Sequence, residues 1–116
     1  MIPFASDTVT LYHKRGGAWE GIVIHGCSYR RRRVRSISDG AAAVAEETTC
    51  RMPAGQAVPA AGDVIVLGVC RDKVRGEVEL VRLLEAHRAE GAFRVRAVAD
   101  NARPGMPVPH YAATGA

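Results

Sequence analysis

Apolar and polar residues alternate along most of this chain, and the alternation predicts strands. Thr8-Val9-Thr10-Leu11-Tyr12-His13 sets β-branched and aromatic residues between polar ones, as a half-buried strand requires. Lys14-Arg15-Gly16-Gly17 follows as a turn. Trp19 to Cys27, with Ile22-Val23-Ile24 at its centre, predicts the returning strand of a β-hairpin. Val44 to Met52, marked by Thr48-Thr49-Cys50 and stopped by Pro53, predicts a third strand. Pro59-Ala60-Ala61-Gly62-Asp63 is a turn that leads into the short apolar strand Val64-Ile65-Val66-Leu67. Phe93 to Val98 alternates again until Asp100-Asn101 stops it. After a proline-rich loop over 102–110, the stretch His110-Tyr111-Ala112-Ala113-Thr114 predicts a last strand that returns beside the previous one.

One stretch changes period. Between Val78 and Ala89, Leu80, Leu83, Leu84 and His87 recur at helical spacing and share a face. Glu77 and Glu79 near the start and His87 and Arg88 near the end complement the helix dipole, and Gly91 is a natural stop. Residues 28–43 follow neither period: they are charged first, then rich in Gly and Ala, and read as a long inserted loop. The expected fold is therefore mainly β, a small barrel or sandwich of about five to six strands with one helix over about 78–89. It forms a single domain over 1–116, with 1–7 as an N-terminal arm.

Charge sharpens this picture at one place. The chain of 116 residues carries a formal charge of +4, and five positive charges fall in the run Arg30, Arg31, Arg32, Arg33 and Arg35. A strand would send Arg30 and Arg32 to one side and Arg31, Arg33 and Arg35 to the other. No buried sheet face accepts that, so the run belongs to an edge, a loop or a partner surface. Guanidinium groups so concentrated suit a phosphate backbone or an acidic protein, with Tyr29 as the one adjoining aromatic.

Other chemistry is sparse. Cys27, Cys50 and Cys70 have no CxxC spacing, so no structural zinc and no cofactor is expected, and the thiols read as packed residues of a reducing compartment. His13, His25, His87 and His110 form no HxH or HExxH motif. Cys27 with His25 two residues away would share a strand face, a weak nucleophile–base pattern. Gly26-Cys27-Ser28 lacks the second glycine of a nucleophile elbow, and phosphate-loop motifs are missing. No enzymatic activity is expected. Neither a signal peptide nor an apolar run of bilayer length is visible, so the expectation is a soluble protein with no membrane partner.

The order of elements resembles a known group. An opening Thr8-Val9-Thr10-Leu11-Tyr12 strand precedes one that ends Ile24-His25-Gly26-Cys27-Ser28-Tyr29. A Thr-rich strand stopped by Met52-Pro53 follows, then Pro59-Ala60-Ala61-Gly62-Asp63, a Leu-rich helix, and a Val-x-Asp-Asn element before a His-Tyr strand. From about residue 7 to 115 this is similar to the small neck and minor capsid proteins of tailed bacteriophages and prophages, the head-closure (stopper) and head–tail connector type. The resemblance implies a β-barrel made in the host bacterial cytoplasm and built into the virion neck as a homo-oligomeric ring. Its implied neighbours are portal or adaptor proteins, tail terminator or tail tube proteins, and packaged double-stranded DNA. Tyr29, Arg30, Arg31, Arg32, Arg33 and Arg35 would then touch DNA or an acidic ring. Arg103, Pro104, Met106, Pro107, His110 and Tyr111, on or beside a stiff proline-rich loop, would dock neighbouring subunits. A second reading, from the residues alone, is a nucleic-acid-binding barrel of the OB or SH3-like kind that uses the Arg30–Arg35 run.

Overall fold

The computed structural model describes residues 6–38, 41–102 and 109–116, with the backbone alone for 34–38 and 41–45. Six antiparallel strands close into a barrel: β1 (Asp7–Arg15), β2 (Ala18–Ser38), β3 (Ala41–Pro53), β4 (Val64–Leu67), β5 (Phe93–Asn101) and β6 (His110–Gly115), in the spatial order β1-β2-β3-β6-β5-β4. One helix, α1 (Glu77–His87), lies between β4 and β5 and ends in a 3-10 turn, Arg88–Glu90. No described helix is long and apolar enough to cross a membrane.

Two of the strands turn corners. β2 pairs with β1 as far as Cys27 and with β3 from Ser28 onward, while β5 pairs with β4 at Phe93–Arg94 and with β6 from Val95 to Asn101. Strands that change sheets in this way make an orthogonal barrel, and each change needs a bulge or bend. The β1–β2 register slips between Asp7 and Val9, opposite Ile24 and Cys27, and Gly26 takes φ +73°, a left-handed conformation that strains any side-chain-bearing residue. The second slip falls between Val95 and Ala97 on β5.

The backbone freed at the first corner is satisfied locally. The Gln56 side chain accepts from the His25 N–H at 3.2 Å and donates to the His25 carbonyl at 3.0 Å, replacing a neighbouring strand. The Asp7 carboxylate accepts from the Tyr29 N–H at 3.0 Å where β1 runs out.

Side-chain alternation divides the apolar residues between two cores. Val9, Leu11, Ile24, Ile65, Phe93 and Val95 fill the barrel, together with Cys27, Cys50 and Met52. Tyr12, Val64 and Val66 point outward and are covered by Leu80, Leu83 and Leu84 of α1. β4 is thus buried on both faces, which is why its sequence is a continuous apolar run.

The helix begins at Glu77 and becomes 3-10 after His87, close to the expected span. Its amphipathic face packs as the periodicity predicts. The expectation for 28–43 is overturned: this segment is the distal half of a hairpin, β2 to Ser38 and β3 from Ala41, rather than a loop. Arg30, Arg31, Arg32 and Arg33 are all exposed, on both faces of the ribbon as it leaves the barrel. The proline-rich segment 103–108 lies outside the described residues, as do Asp39 and Gly40.

Gly115 allows the closest approach in the barrel. A Cβ there would overlap the Arg94 carbonyl oxygen and meet Phe93 Cδ2 at 3.1 Å. Gly115→Ala should therefore lower stability by about 3 kcal/mol or more in a denaturant titration. Gly76→Ala, at a helix cap with open space around it, should change stability by less than about 1 kcal/mol. Equal effects at the two sites would contradict this packing.

Candidate interaction surface on the β2–β3 hairpin

The hairpin pairs Ser28 with Arg51 and continues, without a register slip, to Ser38 opposite Ala41. β6 pairs with β3 only from Thr48, and β1 with β2 only as far as Cys27. From Arg32↔Glu47 to Ser38↔Ala41 the two strands therefore form a free arm with no third strand on either edge among the described residues. At ~3.3 Å per residue its seven pairs extend on the order of 20 Å beyond the barrel wall.

The arm's root has two faces. The first continues the barrel interior: the Tyr29 ring packs near Phe93 with centroids 6.2 Å apart, and its hydroxyl donates to the Gly91 carbonyl at 2.7 Å. Arg31 follows on this side, its guanidinium 3.5 Å from the Arg88 carbonyl at the negative end of the helix. The second face, on the outside, carries Arg30 and Arg32 beside Thr49 and Arg51. Arg32 meets Glu47 at 3.4 Å, a solvated pair of small energetic weight.

Tyr29, Arg30, Arg31, Arg32, Thr49 and Arg51 line an open cleft of about 670 Å³. Arg30 to Arg33 and Arg51 are all exposed. Arg30, Arg32 and Arg51 on the outer face, with Glu47 as the nearby acid, make a site for anions: phosphates of a nucleic acid or carboxylates of a protein. Bidentate hydrogen bonding suits either.

Of the residues singled out in the sequence, Arg30 and Arg32 share the outer face of the arm's root, while Tyr29 and Arg31 lie on its inner face. Arg33 is exposed one step farther out, opposite Glu46, and Arg35 takes a register position opposite Val44. Arg51 joins them unannounced, because the Ser28↔Arg51 register places it diagonal to Arg30. His110 and Tyr111 lie away from the arm on β6, half-buried and opposite Asn101 and Asp100, with His110 Nε2 3.3 Å from Asn101 Nδ2. Arg103, Pro104, Met106 and Pro107 fall outside the described residues.

The bulge also separates the pair once weighed for catalysis. Ile24 and Cys27 both face inward and His25 is exposed, so His25 and Cys27 occupy opposite faces, not one. Cys27 and Cys50 are fully buried neighbours. Their mutual hydrogen bond and then burial push the Cys50 thiol up from its ordinary range.

These features define a class: small closed antiparallel β-barrels with one helix packed outside and a basic two-stranded arm. The chain belongs to DUF6751, described as a family of unknown function, which it matches over residues 4–116. A search of the curated proteins and a search of the solved structures each return no match.

Replacing Arg30, Arg32 and Arg51 together by Ala should leave the melting temperature nearly unchanged, since exposed charges contribute at most about 1 kcal/mol. Retention on an immobilised polyanion should fall. Tyr29→Phe should instead cost about 1 kcal/mol through the lost bond to Gly91, read by denaturant unfolding.

Proposed function

We propose that this chain is a structural subunit of a phage head–tail connector. It assembles as a ring between portal or adaptor and tail and helps close the DNA channel. The observation that carries the proposal is the free arm. An isolated two-stranded ribbon is marginally stable in water, and open edges invite pairing. A second copy of the chain can supply the missing strand, and contacts repeated head to tail by rotation close into a ring. The basic cleft at the arm's root then meets either DNA phosphates in the lumen or an acidic ring above or below. The sequence resemblance to neck proteins supports the same reading, which involves no catalysed reaction.

The cleft also favours one rival, a barrel that binds nucleic acid as a monomer. Native mass spectrometry against concentration separates the two. The ring reading expects a closed oligomer that disappears when residues 32–47 are replaced by Asn-Gly, which joins the paired residues Arg31 and Thr48 by a tight turn. The circular dichroism of the barrel should survive that replacement. A chain that stays monomeric at every concentration yet binds a short duplex tightly, with affinity falling steeply as salt rises, supports the rival instead.

A further inference from the structure

Outside the barrel wall, residues 68–76 connect β4 to α1 without regular structure. Two buried side chains of β1 hold this segment. Thr10 Oγ1 accepts from the Cys70 N–H at 2.9 Å and donates to the Gly68 carbonyl at 2.9 Å. The Tyr12 hydroxyl donates to the Asp72 carbonyl at 2.8 Å and stands 3.2 Å from Cys70 Sγ. The backbones of Cys70 and Asp72 are therefore fixed by the fold itself.

His87, in the last turn of α1, faces them. Its Nε2 lies 3.1 Å from Asp72 Oδ2 and 3.9 Å from Cys70 Sγ, while its Nδ1 is 2.8 Å from Glu90 Oε2. One sulfur, one nitrogen and one carboxylate oxygen thus sit within 4.8 Å of one another. Cys70 and His87 are half-buried and Asp72 is exposed. A cleft of about 370 Å³ lined by Tyr12, Trp19, Cys70 and Asp72 opens beside them.

We propose that Cys70, Asp72 and His87 bind one divalent transition-metal ion of the Zn²⁺ class, with water as the fourth ligand. Zinc–ligand bonds of about 2.0 Å to N or O and about 2.3 Å to S imply tetrahedral edges of roughly 3.3–3.5 Å. The observed 3.1 and 3.9 Å lie on either side of those edges, and the third pair, Cys70 Sγ and an Asp72 carboxylate oxygen, lies within 4.8 Å, so rotation of the Cys70 and Asp72 side chains would complete the site without moving the backbone. Thiolate with imidazole selects zinc or cobalt over magnesium or calcium, which take all-oxygen sites. Thiolate and carboxylate together neutralise a divalent charge, and binding releases the Cys70 thiol proton to solvent.

Glu90 has the position of an outer carboxylate. With a proton on Nδ1 directed at Glu90, the Nε2 lone pair is turned towards the cluster. The bound ion would staple the 68–76 segment to the C-terminal end of α1. The same atoms without a metal make an ion-pair cluster, a His87 cation between Asp72 and Glu90. In that alternative Cys70 contributes a long 3.9 Å contact to Nε2 and no metal–sulfur bond, and this difference makes the two separable.

The test titrates Co²⁺ into the reduced, chelator-treated full chain and follows absorbance. Saturation at one ion per chain is expected, with a thiolate-to-cobalt charge-transfer band in the near ultraviolet and tetrahedral visible bands, both erased by added Zn²⁺. Cys70→Ser should remove the charge-transfer band although Cys27 and Cys50 remain. His87→Gln should weaken binding at least tenfold, whereas Glu90→Gln should keep the band and weaken binding by about 10–100-fold. Zn²⁺ should raise the melting temperature of the native chain and not that of Cys70→Ser, with circular dichroism confirming that each variant is folded. Absence of saturable binding, or a charge-transfer band unchanged in folded Cys70→Ser, would overturn the site.

Discussion

The rest of the fold depends on β2 changing sheets at His25–Gly26. A single strand of 21 residues cannot stay against one short partner, so it pairs first with β1 and then with β3. The left-handed Gly26, the Gln56 amide bonded to both backbone groups of His25, and the Asp7 carboxylate on the Tyr29 N–H make that change possible while keeping these backbone groups paired. The corner closes the barrel and, in the same step, aims the remainder of β2 away from it. Arm and barrel are two consequences of one bulge. The matching slip in β5 lets β6 lie between β5 and β3, so the C-terminal strand completes the wall.

What the sequence made legible follows from where burial is one-sided. The first half of β2 and β5 each bury one face, so alternation marks them. β1 alternates because apolar Val9 and Leu11 face the barrel while Thr10 and Tyr12 face the layer beneath α1, and Leu80, Leu83 and Leu84 mark the helix by a single apolar stripe. The arm has no third strand beside it among the described residues, and arginines at both odd and even register positions removed the periodic signal by which strands are recognised. Two local signals pointed to a hairpin nonetheless. Asp39-Gly40 is a dipeptide suited to two-residue hairpin turns, and Glu46-Glu47 stand opposite Arg33-Arg32 in register. Arg51 was invisible as a member of the basic cleft until that register was known.

The cluster of Cys70, Asp72 and His87 was hidden for a different reason. Its members come from an irregular connection and a helix end, and no short-range spacing links them. What brings them together is long-range hydrogen bonding from Thr10 and Tyr12, whose side chains point outward from β1 into the layer beneath α1. Burial and the neighbouring Cys70 push the Tyr12 phenol up, so it stays a hydrogen-bond donor. The barrel thus has a rigid flank, where the helix covers β1 and β4, and an open one, where a basic ribbon stands free.

Backbone amide exchange along 32–38 and 41–47, compared between dilute and concentrated protein, tests most directly whether the arm pairs with a neighbouring copy. A ribbon awaiting a neighbouring strand predicts rapid exchange at the outward-facing amides in isolation and strong protection on assembly, with the barrel amides protected in both. Equal exchange of the arm in the two states, or an arm fully protected in the isolated chain, would contradict it.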